Sequence, residues 1–507
     1  MYCINKKNIL CAIAITSICL LCAAGLFGYF SAQWYISTYG NVGFDAVLYS
    51  WFASFDSVES GLIFSYIKGA AIPALTCTAA ACTALLVKPQ KRIILHLRKY
   101  RYTIFPFSKP MALFLSALIC CVLLHNAANT MGIFSYVETT VTETTFLQDN
   151  YVDPNKVKIT FPKQKQNLIY IYLESMETTF LSTDLGGGNS VNTIPELYKL
   201  ASENINFSQN DGVGGFSSLY GCNWTIGAMV SSTSGVPLKI PLKLTENYYT
   251  KSTFLPGLTT LSDILHSNGY YQALMVGSNA SYANRRQYYQ QHGTDIVYDL
   301  YTAREDNIVP EDYYVWWGME DEKLYDYAKQ ELTKMAEKQQ PFAFTMLTAD
   351  THSIGGYVCQ QCCNDYSEQY ENVLACSSRQ VYEFVLWIQQ QDFYKNTTII
   401  ISGDHPTMDA EFINRNIAEG YTRKVYNCFI NTIATAQNTK NREFCSLDMF
   451  PTTLAAIGCT IEGDRLGLGT NLFSSTPTLC EEIGIENLDQ ELSNDSEYYT
   501  RVFLQLS

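Results

Sequence analysis

Three long apolar stretches dominate the first 130 residues of the chain. They run from Asn8 to Phe30, from Ala71 to Val87 and from Met111 to Leu124. The first has no charged residue over about the twenty positions that a bilayer core requires, and the other two reach that length together with their flanks. A cleaved signal peptide is the alternative for the first stretch, but its apolar run is too long. We therefore predict that residues 1–130 form a membrane domain with three transmembrane helices.

The rest of the chain has the alternating pattern of an α/β protein. A polar segment, residues 131–166, is predicted to be a linker, and short apolar runs then alternate with helical patterns. The runs that predict strands are Asn167–Leu173, Ile205–Ser208, Gln272–Val276, Phe342–Leu347 and Thr398–Ile401. The helical patterns are Ile194–Ser202, Thr259–Ser267, Asp321–Lys338 and Arg379–Gln391. This order predicts a mostly parallel sheet with helices on both faces over residues 167–475, followed by an acidic tail, 476–507, with a short helix or an edge strand.

The charges bear on the location of the protein and on its partners. The chain has 34 Lys and Arg against 48 Asp and Glu, a net charge of -14, which argues against binding to nucleic acid. Lys6 and Lys7 precede the first apolar stretch, and six basic residues crowd the segment from Lys88 to Arg101. Since basic loops stay in the cytoplasm, we predict a multi-pass protein of the cytoplasmic membrane with its large domain on the extracytoplasmic side.

Nine of the 17 cysteines lie in the large domain. Cys359, Cys362 and Cys363 come shortly before Cys376. In an oxidising compartment a disulfide between one of the first three and Cys376 is favoured, with the partner left open. A zinc site is the competing interpretation, although no histidine closely flanks this group.

Polar clusters follow three of the predicted strands. Glu174 follows the first, Asp350-Thr-His352 the fourth, and Asp404-His405 the fifth. Catalytic groups collect beyond the carboxyl ends of the strands in such sheets, and carboxylate with imidazole suits a divalent cation. Alone, an Asp-His pair is more often a cap beside a surface imidazole. The combination is more specific, because only six histidines occur and two of them follow strands.

Thr225 stands where a glycine-rich loop meets a predicted helix. Gly212, Gly214, Gly215 and Gly221 precede it, so that backbone N–H groups could approach an anion near the positive end of the helix. The alternative is that Thr225 is an ordinary N-cap residue. Its hydroxyl becomes a nucleophile if a cation held by the carboxylates lowers its pKa.

Together these motifs resemble the phosphoglycerol transferases, within the alkaline phosphatase and sulfatase superfamily. This group includes lipoteichoic acid synthase and, most similar in type, the periplasmic glucan phosphoglycerol transferase. The segments that carry the resemblance are NLIYIYLESME from Asn167, CNWTIGAMV from Cys222, DTH from Asp350, SGDH from Ser402, DMFPTTL from Asp448 and GDRLGLG from Gly463. Several motifs in the same order are far more specific than any one of them.

The resemblance implies an alkaline-phosphatase-like α/β/α fold and a set of site residues. One divalent cation, manganese in first place with magnesium or zinc as alternatives, would be held by Glu174, Thr225, Asp404 and His405. Thr225 would be the nucleophile, His352 would act at the substrate phosphate, and Arg285 would contact that phosphate. The family usually has an Asp in the segment that matches Gly277–Ala280, where this chain has Ser278 or Asn279, so Asn279 enters as a substrate-binding candidate.

The implied reaction transfers glycerol phosphate from phosphatidylglycerol to an extracytoplasmic glycan or polyglycerolphosphate, through a covalent phospho-threonine. A phosphoethanolamine transferase and a phosphodiesterase of the same superfamily are the enzymatic alternatives. A formylglycine-dependent sulfatase is excluded, because the chain has no Cys-x-Pro-x-Arg or Cys-x-Ala-x-Arg sequence. A catalytically inactive, glycan-binding membrane protein is the remaining alternative, and it predicts the loss of a ligand or of the nucleophile.

Overall fold

The chain divides into two compact units, Met1–Phe44 with Val58–Val137, and Asp45–Ser57 with Glu138–Ser507. The computed structural model describes residues 6–40, 43–45, 47–48, 60–86, 93–97, 100–105, 107–240 and 253–505. Most of the basic cluster used to predict the orientation, namely Lys88, Lys91, Arg92, Arg98 and Lys99, lies outside these residues.

The first unit contains three long apolar helices, as predicted. Its elements are α1 (Lys6–Tyr39), α2 (Ser60–Tyr66), a π-helical turn (Ile67–Ala71), α3 (Ile72–Leu86), the hairpin of β1 (Ile93–Leu97) and β2 (Tyr100–Phe105), and α4 (Lys109–Thr130), with α5 (Ile133–Val141) at its end. Three segments are long and apolar enough to cross a bilayer, Ile9–Tyr39, Ile63–Leu86 and Lys109–Thr130. The first continues past the predicted end at Phe30, and the second begins before Ala71.

Helices α1 and α4 pack closely where a glycine leaves room. A Cβ atom on Gly25 would lie 2.8 Å from the Cα atom of Cys120. Inside a bilayer the hydrophobic effect does not favour helix association, because the lipid tails are themselves apolar. Small residues stabilise such helix pairs because they allow close van der Waals packing.

The second unit is built on a seven-stranded sheet with the order β5–β10–β9–β4–β8–β6–β7. Its strands are β4 (Asn167–Leu173), β5 (Gly215–Phe216), β6 (Tyr271–Val276), β7 (Ile296–Tyr298), β8 (Phe342–Leu347), β9 (Thr397–Gly403) and β10 (Val425–Ile430). Strands β4, β6, β7, β8 and β9 are parallel to one another, and β10 runs antiparallel to both β9 and β5. The prediction of a mostly parallel sheet is therefore confirmed.

The prediction of a strand at Ile205–Ser208 is wrong. Only Ile205 forms a single antiparallel bridge, with Phe429. The side chain of Asn427 occupies the next position of the ladder, since it accepts from the backbone N–H of Phe207 and donates to the Phe207 carbonyl. Strand β5 forms the described edge of the sheet beside β10 instead.

The predicted helices are present, with shifted ends. The helices of the second unit are α6 (Phe146–Asn150), α7 (Pro195–Glu203), α8 (Thr225–Ser234), α9 (Leu261–Ser267), α10 (Arg285–Gln291), α11 (Leu300–Glu305), α12 (Asp321–Glu337), α13 (Gln369–Gln389), α14 (Ala410–Asn416), α15 (Met449–Ala456), α16 (Leu479–Ile483) and α17 (Ile485–Ser493). Helix α13 begins at Gln369 rather than Arg379, because Tyr370, Val373 and Leu374 extend its buried face.

Residues 138–166 and 476–507 contain regular structure in the second unit. β3 (Ile159–Thr160) pairs antiparallel with β11 (Thr460–Ile461), and a short hairpin joins β12 (Arg465–Leu466) to β13 (Gly469–Thr470). In the acidic tail, Leu488 and Leu492 are fully buried. The tail thus forms helices rather than an edge strand.

Candidate active site

The register of the two central strands brings two carboxylates together. Leu173 at the end of β4 pairs with Gly403 at the end of β9. The next residue on each strand is therefore an acid at the same edge of the sheet, Glu174 beside Asp404. Both side chains are buried.

A sharp turn after β4 fixes these carboxylates. Ser175 has a positive φ of 54°, a conformation that is costly for a residue with a side chain and that collects at functional sites. Its backbone N–H donates to Asp404 Oδ1 at 2.8 Å, and its hydroxyl donates to Glu174 Oε1 at 2.8 Å. The turn also lies against Gly403, where a Cβ atom would meet Met176 O at 2.0 Å. The local sequence is therefore adapted to hold both acids in place.

His405 faces the same point with one ring nitrogen. Its Nδ1 lies 2.9 Å from the Pro406 carbonyl oxygen, which can only accept, so Nδ1 carries the proton. The lone pair is then on Nε2, which lies 3.3 Å from Asp404 Oδ2 and 3.5 Å from Glu174 Oε1. This tautomer is the one that a metal ligand needs.

Thr225 is the first residue of α8 and completes the group. The N-cap of this helix is Trp224, so the interpretation of Thr225 as an N-cap residue is wrong. Its Oγ1 lies 3.4 Å from both Glu174 Oε2 and His405 Nε2. Thr225 is half-buried, whereas the two acids and His405 are buried, so Thr225 is the most accessible residue of the group.

The chemistry of this group fits a divalent cation. One ligand atom from each of Glu174, Asp404 and His405 lies within 4.8 Å of the others. Asp404 Oδ2 is buried and accepts no hydrogen bond from the described residues. Two buried carboxylates that share one space repel each other unless a cation lies between them. Oxygen and nitrogen ligands of this kind suit manganese, magnesium or zinc.

The titration behaviour shows the same repulsion. Burial, together with the charge of Glu174, raises the pKa of Asp404 to about 7. Burial would also raise the pKa of Glu174, but nearby His352 and His405 outweigh it and lower that pKa overall. Burial lowers the pKa of His405, and the charges of Asp404 and Glu174 raise it by more. The group therefore favours positive charge at its centre.

His352 lies beside the acids and against an aromatic side chain. Its Nδ1 lies 2.7 Å from the Ser353 carbonyl oxygen, and its ring centroid is 4.6 Å from that of Trp317. The ring centroid of Tyr282 lies 6.2 Å from that of Trp317. Sequence analysis did not find this aromatic wall, for which the Trp-Trp doublet at 316–317 was the only signal.

Arg285 is held in a pocket of its own loop. Its guanidinium donates to Tyr282 O at 3.1 Å, to Ser278 Oγ at 3.0 Å and to Asn279 O at 3.1 Å. The Asn279 side chain accepts from the Ser281 N–H, so Asn279 meets Arg285 through its backbone. Of the two candidates, Ser278 is the one whose side chain accepts a hydrogen bond from Arg285.

The glycine-rich loop does not form the predicted anion cradle. The N–H groups of Gly212, Gly214 and Gly215 donate to the side-chain oxygens of Asn210, Asn206 and Gln209. Gly215 also belongs to β5, where a Cβ atom would meet Val425 O at 1.9 Å. The N–H groups of these three glycines are thus engaged within the chain, which leaves the N-terminus of α8 as the source of positive potential near Thr225.

A second acid near the site, Glu177, has a structural role. Its carboxylate binds Arg423, through a bond of 2.8 Å from Nε and a second from Nη2, and accepts from the Thr407 N–H at 2.7 Å. This ion pair fastens the loop that follows His405. Arg423 was not identified from the sequence, because no motif marks it.

The fold and the site define an α/β protein with a cation-type cluster at the carboxyl edge of its sheet, preceded by three apolar helices. The sulfatase family profile matches residues 166–459, more than half of the chain, so the chain belongs to the sulfatase family.

Two curated relatives are phosphoglycerol transferases I. That of Salmonella choleraesuis is 31% identical over 344 residues, 64% of this chain and 41% of its own length. That of Xanthomonas euvesicatoria is 28% identical over 320 residues, 61% of this chain and 43% of its own. The chain thus spans less than half the length of these relatives.

Two solved structures to which the chain is similar are a lipoteichoic acid synthase and an integral membrane phosphoethanolamine transferase. The lipoteichoic acid synthase LtaP of Listeria monocytogenes has a TM-score of 0.48 at 19% identity and covers 65% of this chain and 81% of its own. The lipooligosaccharide phosphoethanolamine transferase A of Neisseria meningitidis has a TM-score of 0.47 at 13% identity and covers 87% of this chain and 84% of its own.

Proposed function

We propose that this chain is a membrane-anchored, metal-dependent phosphoglycerol transferase. It would move glycerol phosphate from phosphatidylglycerol to an extracytoplasmic glycan or polyglycerolphosphate. The observation that carries the proposal is the position of Thr225, whose hydroxyl is 3.4 Å from two of the cation-type ligands and does not serve as an N-cap. The similarity to the phosphoglycerol transferases I supports the choice of substrate.

In the first half of the reaction, the Thr225 hydroxyl releases its proton to solvent, and the Oγ alkoxide attacks the phosphorus of the lipid. A bond forms between Oγ and phosphorus, the bond from phosphorus to the diacylglycerol oxygen breaks, and glycerophosphate stays on Thr225. We assign His352 to give a proton to the departing diacylglycerol oxygen, since its Nδ1 is engaged by Ser353 and only Nε2 remains for this role. The N-terminus of α8 stabilises the negative charge on the phosphoryl oxygens.

A divalent cation, manganese by preference, would be held by Glu174, Thr225, Asp404 and His405 and would supply charge stabilisation and a lower pKa for the Thr225 hydroxyl. The residues around it keep these ligands oriented. The Pro406 carbonyl fixes the tautomer of His405, and Ser175 fixes both carboxylates.

In the second half, a hydroxyl group of the acceptor displaces Thr225 from phosphorus. His352 takes the proton of this hydroxyl, and Thr225 Oγ leaves as its bond to phosphorus breaks. Trp317 and Tyr282 provide aromatic faces next to His352, of the kind that stack on sugar rings and glycerol units. Arg285 contributes a fixed positive charge for the phosphate.

The three apolar helices support a lipid donor, because they would anchor the second unit at the bilayer surface. We place this unit on the extracytoplasmic side, on the basis of the basic residues before α4. The membrane itself is thus a partner of the protein.

A lipid-turnover assay tests the proposal. The full-length protein, reconstituted with Mn²⁺, is given vesicles of phosphatidylglycerol or of phosphatidylethanolamine, and released diacylglycerol and the labelled acceptor are measured. We expect release from phosphatidylglycerol, with a loss of about 100-fold or more in His352→Gln. His266→Gln is the matched control, because His266 lies exposed on α9.

The same assay separates the alternatives. Release from phosphatidylethanolamine alone would assign the protein as a phosphoethanolamine transferase and contradict the proposed donor. Release of free glycerol phosphate that no acceptor captures would assign a phosphodiesterase. Absence of turnover with either lipid would favour the inactive glycan-binding alternative.

A further inference from the structure

Three cysteines converge at a place that the proposed function does not use. Cys359 and Cys362 lie in the loop between β8 and α13, and Cys376 lies on α13. The Cys359 sulfur is 3.7 Å from the Cys362 sulfur and 3.7 Å from the Cys376 sulfur. All three sulfurs lie within 4.8 Å of one another.

This spacing does not fit the disulfide that the sequence favoured. The sulfurs of a disulfide are about 2.05 Å apart, and all three of these cysteines are free thiols in the structure. A disulfide would also use only two of the three. By contrast, sulfurs that bind one zinc ion at about 2.3 Å in a tetrahedron lie about 3.8 Å apart. The observed separations match an edge of such a tetrahedron.

Two of the three sulfurs have polar or charged nitrogen donors beside them. Gln380 Nε2 donates to the Cys376 sulfur at 3.3 Å and to the Cys359 sulfur at 3.7 Å. Arg379 Nη2 lies 3.8 Å from the Cys376 sulfur and brings a positive charge. Hydrogen bonds from such neighbours orient metal-bound thiolates and stabilise their negative charge. Cys359 and Cys376 are buried as well, which shields them from oxidants.

We propose that Cys359, Cys362 and Cys376 bind a soft divalent cation, zinc by chemistry. Thiolate ligands select zinc, whereas the oxygen-rich group at Glu174 suits manganese or magnesium, so the chain carries two sites of different chemistry. Three thiolates leave the fourth position of the tetrahedron to a ligand from outside this group. The site fastens the loop that follows His352 to helix α13.

Cobalt substitution tests this site on the full-length protein. The protein is purified under reducing, oxygen-free conditions, stripped of metal and titrated with Co²⁺ alone. Thiolate-bound cobalt gives an intense near-ultraviolet charge-transfer band. We expect this band in the wild type, and about one zinc ion per chain at the thiolate site in protein that has not been stripped.

Three variants make the test specific. Cys376→Ser should lose the band, and Asp404→Asn should keep it, because the band depends on thiolates rather than on the carboxylate site. Cys363→Ser is the matched control and should keep the band, because Cys363 is exposed and is not one of the three converging thiols. If Cys376→Ser does not fold, Cys362→Ser replaces a half-buried ligand instead and should lose the band.

Three results would overturn the proposal. The first is the absence of a thiolate band in the wild type, and the second is the loss of this band in Cys363→Ser. The third is a disulfide between two of the three cysteines, found by peptide mass spectrometry of protein that was alkylated before cell lysis. None of these results would bear on the Thr225 mechanism, so the two proposals fail independently.

Discussion

The polar atoms of His405 and Asp404 are divided between the fold and the candidate cation site. The Nδ1–H group of His405 donates a hydrogen bond to Pro406 O. Asp404 Oδ1 accepts hydrogen bonds from the backbone N–H groups of Ser175 and His405. The two remaining polar atoms, His405 Nε2 and Asp404 Oδ2, lie 3.3 Å apart. Their lone pairs are therefore available to bind a cation.

Replacing one of these atoms should weaken cation binding. Asp404→Asn can keep its amide oxygen at the Oδ1 position, where two backbone N–H groups donate, and this puts an uncharged NH₂ group where the Oδ2 oxygen was. We expect Mn²⁺ affinity to fall by at least about 10-fold, measured by calorimetric titration of the full-length protein. Asp392→Asn, on the exposed surface, is the control. Equal Mn²⁺ affinity in Asp404→Asn and the wild type would refute the ligand assignment.

A second pair of buried acids, Asp321 and Asp350, makes stability depend on pH. Burial raises the pKa of both carboxyls, and for Asp350 the charge of Asp321 raises it further. The folded pair therefore binds protons that the unfolded chain has released. Its contribution to stability is fully present below the ordinary carboxyl pKa of about 4 and is lost as the pH rises from there through the raised pKa values of the folded pair.

Asp350→Asn should reduce this dependence. The amide oxygen can still accept from the Asp321 N–H, as Asp350 Oδ1 does at 3.2 Å, and the mutual repulsion is removed. Between about pH 5 and pH 7.5 the free energy of unfolding should fall less in the variant than in the wild type. The difference should be about 1.4 kcal/mol for each unit by which the substitution reduces the pKa difference between the folded and the unfolded chain. Denaturant unfolding at both pH values measures this difference. Asp312→Asn, at an exposed position, should follow the wild type, and a parallel curve for Asp350→Asn would count against the account.

At the scale of elements, the site depends on the close approach of β9 to the turn that follows β4. Gly403 ends β9, pairs with Leu173 and lies under Met176 of the turn. No side chain fits between them. The pairing of the two strands therefore sets the distance between Glu174 and Asp404.

Gly403→Ala should separate these strand ends. Its Cβ atom would lie 2.0 Å from Met176 O, so the turn must shift. We expect the free energy of unfolding to fall by more than about 1 kcal/mol and Mn²⁺ affinity to fall with it, as measured by denaturation and titration. Gly212→Ala is the control, since its nearest neighbour would be 3.5 Å away. Unchanged Mn²⁺ binding in a folded Gly403→Ala protein would show that this contact does not set the site.

Elements with uninterrupted apolar runs were predictable, and those that depend on distant partners were not. Strands β4, β8 and β9 are buried on both faces, so their composition alone marks them. Strand β10 was missed because Asn427 interrupts its apolar run, although this residue supports the bridge beside Ile205. The positions of Glu174, Asp404 and His405 followed from strand ends, whereas the contact of the Trp317 ring with His352 depends on a loop from elsewhere in the chain.

At the scale of the whole molecule, a lipid substrate requires the second unit to face the leaflet that holds it. Three apolar helices among the described residues are long enough to cross a bilayer, and three crossings would put the chain start and this unit on opposite sides. With the basic residues in the cytoplasm, the orientation proposed above puts the second unit on the extracytoplasmic side.

Reporter fusions test this orientation. An alkaline phosphatase reporter fused after Ser507 should be active, because it folds only outside the cytoplasm. The same reporter fused after Arg101, in the segment between the second and third apolar helices, should be inactive and serves as the opposite control. Activity in the reverse pattern would contradict the orientation.

The central claim is that Thr225 carries the phosphoryl group, and trapping tests it most directly. The full-length protein is incubated with Mn²⁺ and phosphatidylglycerol without acceptor, quenched and digested, and the peptide that contains Thr225 is weighed by mass spectrometry. Thr333→Ala, at an exposed position of α12, controls for substitution of a threonine. We predict a glycerophosphate adduct on the Thr225 peptide in the wild type and in Thr333→Ala, and neither adduct nor diacylglycerol release in Thr225→Ala. Normal diacylglycerol release by a folded Thr225→Ala protein would contradict the account.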